Sequence, residues 1–336
     1  MIIKENISLA PLTTFHIGGP ARYFVAVKNL DELKESLAFA KAKKIRVLVL
    51  GGGSNVLIPD KGFDGLVIKI EIGGVELQKN SQKTLLIAGA GESWDVLVQK
   101  SVAENLWGIE NLSGIPGTAG GAVAGNIGAY GQALSQTLLW TEVFDTVSGE
   151  IKKINNAECA FDYRDSFFKH DEGQYVILRV AFTLSTTPAP ELSYTDLRER
   201  FSGVSTDIMP IREAILTIRE GKFPDIRFEG TAGSFFKNPI VSKAEAGALK
   251  ERYPGISVFE MPETSGIKIP LAWLLDKILN LRGLTIGRAR LFEKQPLVIV
   301  AEKNCTAGDV QKLSEEVEKQ VKEKIGITIE REVQII

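Results

Sequence analysis

Ile45-Arg46-Val47-Leu48-Val49-Leu50-Gly51-Gly52-Gly53-Ser54-Asn55-Val56-Leu57 is the stretch on which the fold turns. Its first six residues are aliphatic except Arg46, a run that predicts a short strand. Glycine then allows positive φ and leaves backbone N–H groups uncovered. After Val56-Leu57 come a turn, Pro59-Asp60-Lys61-Gly62, and a second strand-like run, Gly65-Leu66-Val67-Ile68-Lys69-Ile70. The glycine loop therefore joins strand to strand. A Rossmann fingerprint opens a helix and needs a further glycine where Val56 stands, and a P-loop ends in Gly-Lys-Ser/Thr. Neither pattern is present, which argues against NAD binding of the Rossmann kind.

A second glycine-rich loop, Ser113-Gly114-Ile115-Pro116-Gly117-Thr118-Ala119-Gly120-Gly121, follows downstream. Uncovered N–H groups in succession form a concave nest for anionic oxygens. Two such nests suit a ligand with a diphosphate held from two sides. The alternative is a pair of ordinary tight turns.

The 336 residues are enough for two or three domains. A content of 44% hydrophobic and 24% charged residues is that of a soluble globular chain. The net charge of −2 makes nucleic acid an unexpected partner. Cys159 and Cys305 match no metal or redox spacing, and His16 and His170 are too isolated for a metal site. Met1-Ile2-Ile3-Lys4-Glu5-Asn6 has no long apolar signal core, and no apolar stretch reaches spanning length. The expected setting is the reducing cytoplasm, with no metal, no membrane and no obligatory protein partner.

Asn29 caps a predicted helix with Glu32 three residues on and Leu33, Leu37 and Ala40 on one face. Strands are expected at 84–88, 142–147 and 176–182, and a helix carries Trp94, Leu97, Val98, Ser101 and Val102. Residues 185–190, rich in Ser, Thr and Pro, read as the domain boundary. Beyond it, 209–220 is helical, Ser242 and Glu245 form a capping box, and 271–279 is an apolar helix. Val310, Leu313, Val317 and Val321 stripe a last amphipathic helix before a strand over 327–336. The four tryptophans, Trp94, Trp107, Trp140 and Trp273, are read as core.

Three polar constellations could carry chemistry. In Phe161-Asp162-Tyr163-Arg164-Asp165-Ser166-Phe167-Phe168-Lys169, an arginine among aromatics suits a planar carboxylate. The alternative is a surface pair of Arg164 with Asp162 or Asp165. In Gly230-Thr231-Ala232-Gly233-Ser234-Phe235-Phe236-Lys237-Asn238-Pro239, small residues give access to Ser234 and two phenylalanines exclude water, a setting for proton transfer. The alternative is a turn serine before a buried strand. In the tail, Glu330, Glu332 and Gln334 share one face of a strand. That places shielded carboxyls beside apolar neighbours, or else a charged edge that discourages aggregation.

Taken together, these segments resemble one family over nearly the whole chain: UDP-N-acetylenolpyruvoylglucosamine reductase. The resemblance rests on Leu12 to Gly19, Gly51 to Leu57, Ser113 to Gly117, Asn126 to Gly131, Tyr163-Arg164-Asp165-Ser166, Ala232 to Pro239 and the Glu332 tail. It implies an α+β protein with an FAD-binding domain of the PCMH type, like vanillyl-alcohol oxidase, in two subdomains. A C-terminal α/β substrate-binding domain completes it. On the present numbering the first domain spans 1–187, with subdomains at about 1–70 and 71–187 and the tail 326–336 returning to it. The second spans 200–325.

The resemblance further implies non-covalent FAD, NADPH as hydride donor and a UDP-sugar substrate. FAD is then held by Gly51, Gly52, Gly53, Ser54, Asn55, Val56 and Leu57 and by Ser113, Gly114, Ile115, Pro116, Gly117 and Gly120. The implied reaction is reduction of UDP-N-acetylglucosamine enolpyruvate to UDP-N-acetylmuramate. Ser234 is implied as the proton donor, with Arg164 and Glu332 stabilising the enol. Tyr130, Tyr194, Lys222, Asn238 and Gln295 are implied substrate contacts, Tyr194 on a loop that folds over the diphosphate. The family usually carries proline where Arg331 stands, which leaves Glu330 as the fallback for Glu332. A sister FAD-dependent oxidase of the same superfold is the alternative activity.

Overall fold

The computed structural model describes residues 1–80, 83–171, 173–261 and 266–336. The chain forms two compact units. The first comprises Met1–Ser8, Pro20–Gly53 and Phe63–Gly221, and the second Leu9–Gly19, Ser54–Gly62 and Lys222–Ile336.

In the first unit, one sheet has the order Lys4–Ser8, Pro20–Val27, Phe63–Ile70, Arg46–Leu50. The outer pair with Lys4–Ser8 is antiparallel and the rest parallel. The helix Leu30–Lys43 makes the crossover that parallel pairing demands. Asn29 Oδ1 accepts from Glu32 N at 2.9 Å, as the sequence pattern predicts, and Leu33 and Ala40 are buried. A second sheet is antiparallel throughout, in the order Ile151–Asn155, Leu138–Asp145, Tyr175–Ser185, Lys83–Gly89, Val75–Lys79. The strand expected at 142–147 is thus shifted. It ends at Asp145, whose Oδ1 accepts from Val147 N and closes a turn.

Residues 186–190 are exposed, yet the first unit does not end there. The reason is the helix Ile208–Lys222. Its Ile208, Ile211, Ala214 and Ile215 are buried in one cluster with Trp94, Leu97, Val98 and Phe182. Sequence composition marks a loop, whereas packing decides what the chain beyond it belongs to.

In the second unit, two small antiparallel sheets lie with helices around a separate core. One joins Ile240–Val241, Gly266–Lys268 and Phe259–Met261, and the other Thr285–Ile286, Ala289–Leu291 and Ile299–Ala301. The helix Ala307–Ile325 buries Val310, Leu313, Val317 and Val321 completely. Asp60 caps it, accepting from Ala307 N at 2.9 Å and Gly308 N at 3.2 Å.

Two expected elements of the second unit differ in form. The helix read over 271–279 is one α-turn, Leu271–Trp273, followed by a π-turn, Leu274–Ile278. Leu271, Leu274 and Leu275 are fully buried there. The tail is extended, but only Gln334–Ile335 is a regular strand, paired in parallel with Val56–Leu57. The tail therefore meets a segment that is N-terminal in sequence but belongs to the second unit. Of the tryptophans, Trp94 and Trp107 are core. Trp140 and Trp273 are only half-buried, and Lys153 sits 4.1 Å over the Trp140 ring. Among the described residues, no helix is long and apolar enough to cross a membrane.

Candidate active site

The two glycine loops meet within the first unit. A Cβ built on Gly52 would lie 2.6 Å from Gly117 Cα, and one on Gly51 would lie 2.7 Å from Thr118 Oγ1. Only residues without side chains allow the two backbones to approach so closely. Gly53 and Gly114 are left-handed, at φ 62° and 71°.

The loops differ in what they offer a ligand. Gly114 N–H donates to Asp95 Oδ1 at 2.6 Å, and Gly120 N–H donates to Ala90 O at 2.9 Å. These two N–H groups are not bare but already used within the chain, so both glycines help to fix the shape of the second loop.

That loop is clamped by residues the sequence reading missed. Asp95 takes two hydrogen bonds from Arg212, at 2.7 and 2.9 Å, and Arg212 is itself buried. Arg219 Nε donates to Gly114 O at 3.0 Å. Burial pushes the Arg219 guanidinium below its usual range, against the opposing pull of the Tyr130 phenol beside it and of Asp95. Burial also pushes the Asp95 carboxyl up. The Arg212 bonds, the Gly114 N–H and the two guanidinium charges outweigh it and hold Asp95 low.

Glu110 and Asn111, immediately before the loop, are fully buried. Burial pushes the Glu110 carboxyl up, while Gly108 N–H at 2.6 Å and Gln132 Nε2 at 2.9 Å donate to it. Two polar residues in a run that is otherwise apolar were the available signal. Nothing local could show which distant groups they meet.

Arg164 stands at the tip of a tight turn in which Asp162 and Asp165 exchange backbone hydrogen bonds of 3.2 and 3.0 Å. Its φ is 57°, a left-handed conformation uncommon outside glycine. Its Nη2 donates to Gly128 O at 2.5 Å, and its guanidinium lies 5.6 Å from the Tyr163 ring centre. Asp165 pairs with His170 at 2.8 Å. The turn is tied to the helix Ala119–Gly125 that follows the second loop. Ser166 Oγ donates to Ala124 O, and the helix-capping Asn126 donates to Asp162 O. Tyr130, at φ 50°, meets Tyr194 edge-on with ring centres 5.0 Å apart.

In the second unit, Ser234 bridges to Val298 and is half-buried. The following Phe235 and Phe236 are almost entirely buried, with ring centres 5.2 Å apart. On the other side of this segment runs the tail. Glu332 N donates to Phe235 O at 2.8 Å, and Lys237 N to Glu330 O at 2.9 Å, flanking a Phe236–Arg331 bridge. Ser234 and Glu332 are thus carried on adjacent extended segments. The register also accounts for the missing proline. The flanking bonds use Glu332 N–H and Glu330 O, not the Arg331 N–H, so either residue type is compatible there. Arg331 instead fixes the tail through its side chain, with two hydrogen bonds to Glu318 at 2.5 and 3.1 Å.

Glu330 is 74% exposed and pairs with Lys237, whereas Glu332 is half-buried. Asn55 Nδ2 donates to Glu332 O at 3.1 Å, and Val56 and Leu57 pair with Gln334 and Ile335. The later residues of the first glycine motif therefore brace the tail. Asn238 Oδ1 accepts from Leu271 N, and Gln295 Oε1 closes a turn by accepting from Leu297 N at 3.4 Å. Lys222 ends the helix Ile208–Lys222.

Residues 21–155 match the family described as FAD binding domain. Residues 225–336 match the family described as the C-terminal domain of UDP-N-acetylenolpyruvoylglucosamine reductase. A UDP-N-acetylenolpyruvoylglucosamine reductase from Amoebophilus asiaticus is 39% identical over the full length of both chains. The Neisseria gonorrhoeae enzyme of that name is 38% identical over 94% of this chain and 92% of its own. Among solved structures, the UDP-N-acetylenolpyruvylglucosamine reductase of Thermus caldophilus aligns over 99% of both chains, with a TM-score of 0.71 at 26% identity.

Proposed function

The chain belongs to the UDP-N-acetylenolpyruvoylglucosamine reductase family, and on that footing we propose that it reduces UDP-N-acetylglucosamine enolpyruvate to UDP-N-acetylmuramate for peptidoglycan synthesis. Its cofactor is FAD, held without a covalent bond, its hydride donor is NADPH, and its setting is the cytoplasm. The observation that carries the reading is the placing of Ser234 and Glu332 on neighbouring segments against buried Phe235 and Phe236.

The glycine cradle fits a diphosphate-bearing cofactor. Gly51, Gly52 and Gly53 with Ile115, Pro116 and Gly117 would hold it, the second loop kept in shape by Asp95 and Arg219. FAD, when held there, would supply the hydride chemistry that links NADPH to the methylene carbon of the enolpyruvyl group.

Hydride addition there leaves negative charge on the α-carbon and its carboxylate. Arg164, prevented from wandering by the Gly128 carbonyl and the Tyr163 ring, supplies the fixed cation for that charge. Glu332, placed by two backbone contacts, supports the enol form. Ser234 Oγ delivers the proton that completes the lactyl ether, one hydride and one proton adding across the double bond. A serine hydroxyl is a weak acid, so the transfer depends on neighbours that tune Ser234, and its partial exposure lets solvent restore the proton. Tyr130, Tyr194, Lys222, Asn238 and Gln295 are assigned to the UDP-sugar.

The test separates the two half-reactions. Ser234→Ala should slow oxidation of the reduced enzyme by the enolpyruvyl sugar nucleotide by roughly 10²- to 10⁴-fold and leave reduction by NADPH nearly untouched. Equal loss in both halves would remove Ser234 from the proton step. Rapid reoxidation by oxygen, indifferent to the sugar nucleotide, would favour an oxidase.

A further inference from the structure

The segment 186–194 has no helix or strand, and residues 186–190 are exposed, yet it delivers Tyr194 to the Tyr130 ring. One buried side chain fastens it. Asn111 Nδ2 donates to Tyr130 O at 2.7 Å and to Glu191 O at 2.8 Å. Asn111 N is held in turn by Gln132 Oε1 at 2.9 Å, and Gln132 by buried Glu110. A single planar amide thus spans two backbone carbonyls that lie far apart in sequence. An aspartate of the same shape has no N–H to give either of them.

The arrangement has a cost that a purely packing residue would not carry. Among the described residues, Asn111 Oδ1 is buried without a hydrogen-bond partner. A buried amide oxygen left unmatched is unfavourable. The residue is tolerated in that pose because its NH₂ must point at both carbonyls. The contact surface beyond the amide is close as well. Gly131 is left-handed at φ 88°, and a Cβ there would lie 2.9 Å from both Glu191 Cγ and Ser193 Oγ. The segment therefore rests on the Tyr130–Gly131 turn and is stapled from below.

We infer that Asn111 is a positioning residue for the sugar nucleotide: its amide staples the segment carrying Tyr194 to the Tyr130 turn and so sets the two tyrosines as one binding element. The inference rests on the assignment of Tyr130 and Tyr194 to the UDP-sugar. Asn111 itself touches no substrate. It acts through the tyrosine pair, and because Ser113 Oγ donates to Glu110 O at 2.6 Å, the same buried group adjoins the second glycine loop.

The experiment uses the FAD-loaded enzyme and four variants, Asn111→Ala, Gly131→Ala, Tyr194→Ala and Asn111→Ala with Tyr194→Ala. Asn111→Ala should raise KM for UDP-N-acetylglucosamine enolpyruvate by roughly 10- to 100-fold, the worth of two buried hydrogen bonds, with kcat nearly unchanged. Gly131→Ala, strained at φ 88° and crowding the Glu191 and Ser193 side chains, disturbs the turn under the segment and should also raise KM, without opening a cavity. The double variant should be no worse than the more affected single one, because both act on one element. Limited trypsin cleavage after exposed Arg198 and Arg200 should accelerate in Asn111→Ala while FAD content holds.

Additive effects of Asn111→Ala and Tyr194→Ala would overturn the inference. So would an unchanged KM in both Asn111→Ala and Gly131→Ala, or a fall in kcat and FAD content without a change in KM. An unchanged KM in Tyr194→Ala refutes the assignment of Tyr194 and the inference with it. The trypsin rates then still tell whether the staple exists, which separates that failure from a failure of the staple alone.

Discussion

Replacing Gly52 by alanine isolates the close contact between the two glycine loops on which the proposed cofactor cradle depends. The backbone of Gly52 lies outside the left-handed region, so an added methyl is strained by contact alone. That methyl would sit 2.6 Å from Gly117 Cα, 3.0 Å from Gly117 C and 3.3 Å from Thr118 N. All three are backbone atoms and cannot rotate away. Ordinary contact begins at 3.4 Å, so the two loops must part by about 0.8 Å, from 2.6 to 3.4 Å. Overpacking of this kind costs about 1–3 kcal/mol, which is roughly 5- to 150-fold in affinity if the separated loops must be pressed back together to hold FAD. The assay is titration of the apoprotein with FAD, read by quenching of flavin fluorescence, alongside thermal melting without the cofactor. Gly247→Ala, in the helix Lys243–Arg252 of the second unit, is the control. Its methyl would meet nothing within 4 Å, so FAD affinity should hold. Gly52→Ala protein that binds FAD as tightly as the unmodified chain and melts at the same temperature would refute the claim that the loops jointly form the site.

Glu332→Gln should slow the sugar-dependent half-reaction by roughly 10²- to 10⁴-fold, whereas Glu330→Gln, whose carboxylate is exposed beside Lys237, should leave it nearly unchanged. Stopped-flow traces showing the opposite order would move the role to Glu330. Asp95→Asn should lower stability near neutral pH by roughly 1–3 kcal/mol, below the usual cost of breaking a buried pair because the Asp95 side chain is partly exposed. The sign with pH follows from the depressed carboxyl. Its contribution is full above its unfolded value of 3.8 and is lost as pH falls through the lower folded value. Urea melts should therefore show the unmodified chain losing more stability than Asp95→Asn as pH drops below 3.8. Parallel losses in both proteins would rule out Asp95 as the group.

Local patterns were enough to find many of the elements. The Asn29 cap, the Ser242–Glu245 box and the stripe of Val310, Leu313, Val317 and Val321 each depend on residues within a few turns of chain, and each forms as read. The glycine loops were legible for the same reason, since a missing side chain is visible in the sequence wherever it matters. The catalytic candidates Arg164, Ser234 and Glu332 were legible only as polar residues out of keeping with their apolar surroundings, given roles by resemblance. The partners that make the clamp of Asp95, Arg212 and Arg219 on Gly114 and the staple of Asn111 were not legible. Asn111 stands out only as a polar residue in an apolar run, and what it and Asp95 bind is decided when chain some eighty and more than a hundred residues away, respectively, is folded against them.

The amino-acid order by itself determined where the backbone turns, which helix faces are apolar and that two glycine loops exist, because those properties are settled between near neighbours. Tertiary structure alone decided that Gly52 abuts Gly117, that the helix Ile208–Lys222 extends the first unit past residue 190, and that the tail lies along Phe235, with the Glu332 N–H bonded to the residue next to Ser234. Such contacts join parts of the chain with no local interaction between them. They are fixed only when burial of the apolar core selects one arrangement of all the elements at once.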